Sequence, residues 1–142
     1  MGDFLDERTA FISRFQTAWG TTTPVRWENA PWVQPVAVPW VAFFLRSGAG
    51  QQASINTRPL HRFAGVVMVQ VFVPEETGEV RAHTLADQIA AVFRTSDGHG
   101  AQFTAGTQGQ ITCRTPYAET VPARDGWFQM NVVVPYIREK VY

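Results

Sequence analysis

Cysteine is almost missing from this sequence of 142 residues: Cys113 is the only one. A single thiol excludes a disulfide within the chain and a zinc site of the usual multi-thiolate kind. A reducing, cytoplasmic setting is therefore the simpler expectation. Lysine is almost missing too, since of twelve basic residues only Lys140 is a lysine. Arginine suits planar hydrogen bonding and packed interfaces, although a G+C-rich genome would give the same bias. Neither sign of charge prevails, with twelve acidic residues against twelve basic ones and no run of either. The electrostatic footprint of a protein that binds nucleic-acid backbone or an anionic membrane is thus absent, and neither partner is expected. No apolar run approaches the ~18–20 residues of a membrane span, the longest candidate being the strand-sized Val66–Val73. The acidic start, Asp3 to Glu7, is unlike the positively charged opening of a signal peptide.

What is present is apolar and aromatic: 45% of the residues are hydrophobic, among them ten Phe, five Trp and three Tyr. That content fits one folded domain spanning 1–142. From Phe4 to Trp19 the residues Phe4, Leu5, Phe11, Ile12, Phe15 and Trp19 recur at helical spacing. Asp3 is the expected N-cap, and Asp6 and Glu7 suit the positive end of the helix dipole. Three prolines then interrupt residues 24–35, which reads as an extended arm whose Trp27 and Trp32 dock on the domain or on a neighbour. Strand composition follows at Pro39–Arg46, a flexible loop at 47–60 (with a short strand at Ala53–Thr57), and a long strand from about Arg62 to Val73.

This last strand is apolar on both sides. Alternation places Phe63, Val67, Val69, Val71 and Val73 on one side and Ala64, Val66, Met68, Gln70 and Phe72 on the other. Two apolar faces call for two covers: a helix on one, and on the other a further layer or a partner. A second helix is expected from about Gly78 to Arg94, with Leu85, Ile89, Val92 and Phe93 in one stripe. Strands are expected at Gln102–Ala105, Gln110–Tyr117 and Gly126–Tyr136, separated by turns such as Ser96–Gly100 and Gly106–Gly109. The order predicts an α+β fold, a mainly antiparallel sheet of four to six strands with two main helices packed on one face.

Catalytic chemistry is hard to place. His61, His83 and His99 lie 22 and 16 residues apart, which matches neither helical nor finger-type ligand spacing. Cys113 sits in a strand-like context with nothing to depress its pKa. Glu75, Glu76, Glu79 and Asp87 surround a helix start, where the dipole already accounts for acids. No phosphate loop, dinucleotide fingerprint or nucleophile elbow occurs, so neither enzymatic activity nor a metal or other cofactor is expected. The aromatics lack the interleaved cations of a single-strand binder and are read as core and interface anchors.

Taken in order, several pieces resemble the tail terminator-like proteins of long-tailed bacteriophages, prophages and gene-transfer particles. These are Phe15-Gln-Thr-Ala-Trp19, Thr23-Pro-Val-Arg-Trp-Glu-Asn29, Trp40-Val-Ala-Phe-Phe-Leu45, Gly65-Val-Val-Met-Val-Gln-Val-Phe-Val-Pro74 with Gly78, Ala82–Phe93 and Val134-Pro-Tyr136. No piece is specific alone; the ordered set carries the resemblance. It implies a non-enzymatic virion protein that forms a homohexameric ring on the tail tube, ends tube polymerisation and offers a head–tail joining surface. The implied partners are other copies of the chain, the major tail tube protein and head–tail connector proteins, and the implied location is the head-proximal end of the virion's tail, for a protein made in the host cytoplasm. A closed ring needs one patch to meet a different patch on the next subunit. Trp27, Trp32, Trp40, Arg58 and Arg62 are the expected contact residues, because they are aromatics among prolines or cations beside the loop. The alternatives are another neck protein, such as a head completion or connector subunit, and a small-ligand binding domain that uses the sheet's second face as a pocket.

Overall fold

The computed structural model describes residues 3–76, 78–106 and 109–141. Helix α1 spans Asp3–Trp19, β1 Val25–Trp27, β2 Trp40–Gln52, β3 Leu60–Pro74, α2 Val80–Val92, β4 Gln102–Ala105, β5 Gly109–Cys113, β6 Tyr117–Arg124 and β7 Trp127–Val141. The seven strands form one curled, mixed sheet in the order β1-β2-β3-β7-β5-β4, with β6 also paired to β7. The α+β class stands, but the strand count exceeds the four to six expected. The sheet is also not wholly antiparallel, because β1 runs parallel to β2.

The core is built from one side of the long strands. Val67, Val69, Val71 and Val73 of β3, Val41 and Phe43 of β2, and Met130, Val132, Val134 and Tyr136 of β7 share a single buried cluster with both helices. Helix α1 contributes Phe11, Phe15 and Trp19, and α2 contributes Ala82, Leu85, Ala86 and Ile89, followed by Phe93. The α1 stripe is narrower than the apolar residues suggest. Phe4 and Leu5 are exposed, and the buried positions recur every four residues as Glu7, Phe11, Phe15 and Trp19. The capping expected of the Asp3 side chain lies outside the described residues. So do Thr77 and the pair Thr107 and Gln108, in the turns expected after Pro74 and at Gly106–Gly109.

Three local differences have physical reasons. Within the arm, 25–27 does form a strand, but at the sheet edge, where the flanking prolines break no ladder. Of the loop expected at 47–60, residues 47–52 belong to β2, which continues past a bulge between Ser47 and Gly50 until Gln52 pairs with His61. The connection narrows to 53–59, and the short strand expected at Ala53–Thr57 does not form. Finally, the strand expected over Gln110–Tyr117 ends at Cys113. A separate β6 begins at Tyr117 and turns into β7 through Asp125 and Gly126, both at positive φ (56° and 84°). That pair of left-handed residues is the tight hairpin turn that Asp-Gly favours.

Candidate assembly surface

The side of the sheet opposite the core carries the largest aromatic group outside it. Trp40 opens β2 directly opposite Phe72 on β3. Their rings stack with centroids 4.1 Å apart and planes 11° from parallel. Trp127, the first residue of β7, meets Trp40 edge-on at 6.0 Å, and Trp32 of the arm leans on Trp40 at 5.1 Å. Strand alternation explains why these rings converge: 40 and 72 form a cross-strand pair, while 127 lies opposite Pro74, two residues on from Phe72. The arm crosses this end of the sheet so closely that Trp40 is only 4% exposed. The ring nitrogens of Trp32 and Trp40 are both buried without a hydrogen-bond partner.

Beyond the aromatic end the same face continues through Phe44, Met68, Val66, Gln70 and Pro135, all half-buried, to exposed Ala64. Asn131 accepts a hydrogen bond from the side-chain amide of Gln129 (2.9 Å). Arg46 sits over the Phe44 ring at 5.5 Å. The result is a mostly apolar, partly open surface bounded by small polar groups.

Of the five residues expected to make contacts, the fold brings together two, Trp32 and Trp40. Trp27 points the other way, against Phe43 (5.4 Å) and edge-on to Phe15 (6.2 Å), and is half-buried beside the core. Arg58 is exposed in the 53–59 connection. Arg62 lies opposite Glu139 on the neighbouring strand and donates from Nε (3.1 Å) and Nη2 (2.8 Å) to the same carboxylate oxygen. Phe72 and Trp127 join the cluster although neither was singled out. The alternation of β3 already assigned Phe72 to this side, and carrying the alternation of β7 back from Gln129 would have added Trp127.

The edge beside the arm is closed by a side chain. Past β1, the Glu28 carboxylate accepts the Leu45 backbone N–H (2.7 Å) and a guanidinium hydrogen bond from Arg46 (3.0 Å). Glu28 thereby occupies the place where the next strand residue would pair. A second carboxylate, Glu7, is fully buried. One of its oxygens accepts the Ser47 hydroxyl (2.7 Å), and the other lies 3.4 Å from Nε of the equally buried Arg138.

Groups with catalytic potential are scattered. His61 is half-buried on β3, His83 is exposed on α2 with Nδ1 2.9 Å from the Glu79 carbonyl oxygen, and His99 is exposed in a turn. Among the described residues no group of three or more His, Cys, Asp or Glu side chains could hold a metal ion. Burial pushes the Cys113 thiol up to about 12, although Arg14 pulls the other way. It therefore stays protonated and poorly nucleophilic at neutral pH. Burial, with the neighbouring Glu7 carboxylate, likewise raises the pKa of Tyr136. No described helix is long and apolar enough to cross a membrane.

Comparison with known proteins bears on the family and the fold. No curated protein sequence matches the chain. One solved structure, which carries no descriptive name, superposes with a TM-score of 0.69 at 21% identity, covering 96% of this chain and 94% of its own. That likeness shows a shared fold. The family model described as "Phage tail terminator protein" matches residues 8–136. From the first turns of α1 to Tyr136 on β7, then, this chain belongs to the phage tail terminator family and is a structural protein of a phage tail.

Proposed function

We propose that the protein caps the tail tube as a homo-oligomeric ring, a hexamer, ends tube polymerisation there and presents the surface to which the head is joined. The observation that carries this reading is the family match over nearly the whole fold. The geometry supplies what a closed ring requires, two different patches on one subunit. One is the open sheet face with the Trp32, Trp40, Phe72 and Trp127 cluster. The other is the outer end of the β2–β3 hairpin, where the connection holding Arg58 and a 95% exposed Ile55 stands clear of the core. Desolvated aromatics with arginines at the margin are the usual anchors of such contacts. The neighbours along the virion axis are the tube protein on one side and connector proteins on the other, at the head-proximal end.

The direct test adds purified protein to polymerising tube protein. Tubes of finite length with a ring at one end, seen by electron microscopy, are the expected result. Tubes that keep growing beside excess protein would sink the reading, and a ring found on the capsid portal would replace it with a neck protein of another kind.

A further inference from the structure

Glu7 and Arg138 are charged groups within an otherwise apolar core. Each is 1% exposed. Periodicity puts both in apolar stripes: Glu7 one helical turn before Phe11, and Arg138 two residues beyond Tyr136 on the core side of β7. Their geometry is imperfect, because the 3.4 Å approach falls short of a good hydrogen bond and Nε and Nη2 of Arg138 are left without one. A buried pair of this quality gains little over apolar residues of the same volume. Its best-attested use is to specify one arrangement among several.

The arrangement at stake is the bulge in β2. Ser47 pairs with Gly65 and Gly50 with Phe63, so β2 spends one more residue than β3 across this interval. The segment around it, Ser47–Gln52, is exposed, and at its middle Gly48-Ala49-Gly50 offers almost no side chain to fix a register. A strand of that kind specifies its register weakly. Two contacts beside the bulge lead to the buried pair, and a third reaches Tyr136 on the same strand as Arg138. The Ser47 hydroxyl donates to Glu7 at 2.7 Å. The Phe63 ring, which lies against Gly50 so closely that a Cβ there would clash with it, carries the Arg138 guanidinium at 4.2 Å. A Cβ on Gly65 would fall 2.5 Å from the Tyr136 hydroxyl oxygen.

We infer that Glu7, Ser47 and Arg138 form a register lock, which holds the extra residue of β2 at the Ser47–Gly50 bulge and thereby fixes how the outer half of the β2–β3 hairpin is presented. Without it, the bulge is free to migrate through the glycine-rich segment. The lock acts on the protomer, so it holds whether or not the ring proposed above forms.

Hydrogen exchange on the full chain tests this. In Ser47→Ala, amides of 48–52 and of the facing 61–65 should exchange ~10-fold faster or more, as expected for the loss of a hydrogen bond to a charged group. Amides of α2 and of β7 from Trp127 to Val134 should keep their wild-type rates. Glu7→Gln should enlarge the effect and give more than one amide resonance for each residue of 48–52. In the double variant Glu7→Leu/Arg138→Met, thermal stability should return while fast exchange at 48–52 persists. Unchanged exchange at 48–52 in Ser47→Ala would overturn the inference. So would a double variant that recovers both stability and protection, since the pair would then be filling space. Should Glu7→Gln fail to fold, Ser47→Ala still decides the matter.

Discussion

Val69 and Met68 are consecutive on β3, both apolar and both in the middle of the sheet, yet they meet different surroundings. Val69 has no exposed surface and packs with the buried residues of α1 and α2, whereas Met68 is half-buried on a face that no helix covers. The contrast holds along the strand: Val67, Val71 and Val73 lie at 0–1% exposure, while Val66, Gln70 and Phe72 remain partly open. Composition alone does not separate these two sides. What separates them is the supply of covering elements. Both helices share one buried cluster with the inner side of β2, β3 and β7, while on the other side Trp32 of the arm meets Trp40 at one end. An apolar surface left partly open in this way is what the proposed ring contact would use.

The comparison breaks first on the closed side. Val69→Asp places an unpaired carboxylate where nothing can solvate it and should cost more than ~4 kcal/mol, enough to abolish the folded circular dichroism spectrum. Trp40→Ala comes next, because it empties the centre of the aromatic cluster. The expected loss is about 3–5 kcal/mol, read as a lower denaturation midpoint with the helical signal retained under native conditions.

Alkali should act on the closed side through Tyr136 and Cys113, whose pKa values are raised in the folded state. The native form keeps these protons longer than the unfolded chain does. Their contribution is therefore whole below the unfolded values of about 8.5 for the thiol and about 10 for the phenol. It is lost as pH rises, towards about 12 for the thiol and further for the phenol. Denaturation midpoints should fall steadily above about pH 8.5. In a spectrophotometric titration Tyr136 should ionise only above the pH at which a free phenol does, about 10.

On the open side, Met68→Lys should cost only about 1 kcal/mol and leave a folded protomer. Light scattering should then report a monomer under conditions where the wild type self-associates. Wild-type assembly by this variant would remove the open face from the proposed interface. The smallest effect belongs to Arg62→Ala. Its pair with Glu139 is 41% and 37% exposed, so the midpoint should shift by less than ~1 kcal/mol.

Much of this fold can be read from residue order, and the exceptions have identifiable causes. Both helices and the long strands β3 and β7 announce themselves because each has a face that repeats at its own period. Strand β6 does not: Tyr117-Ala-Glu-Thr-Val-Pro-Ala-Arg124 is exposed along almost its whole length, so burial writes no alternation into it. Its one signal is the Asp125-Gly126 turn, whose positive φ angles make it a hairpin. The outer half of β2 reads as a loop in the sequence because Gly48 and Gly50 look like turn residues. In the fold they are glycines because a Cβ at either position would collide with Ala64 or Phe63. The buried pair was legible in principle. Glu7 falls in the stripe of Phe11, Phe15 and Trp19, and Arg138 continues the alternation of Met130, Val132, Val134 and Tyr136, so two opposite charges were both due to point inward. Attributing Glu7 to the helix dipole, and ending the strand at Tyr136, hid them.

The candidate surface divides in the same way. Local chemistry identified Trp32 and Trp40 as aromatics needing a place, but it grouped them with Trp27, which register sends to the opposite side of the sheet. By itself, the order of residues determined the elements, the apolar character of both faces of β3 and the family pattern, because these depend on local periodicity and on residues close together in the chain. Only the tertiary structure decided which face the helices would cover, which tryptophans would meet and that Glu7 would find Arg138. Those outcomes depend on strand pairing and on the packing of segments up to 131 residues apart, and no local pattern records them.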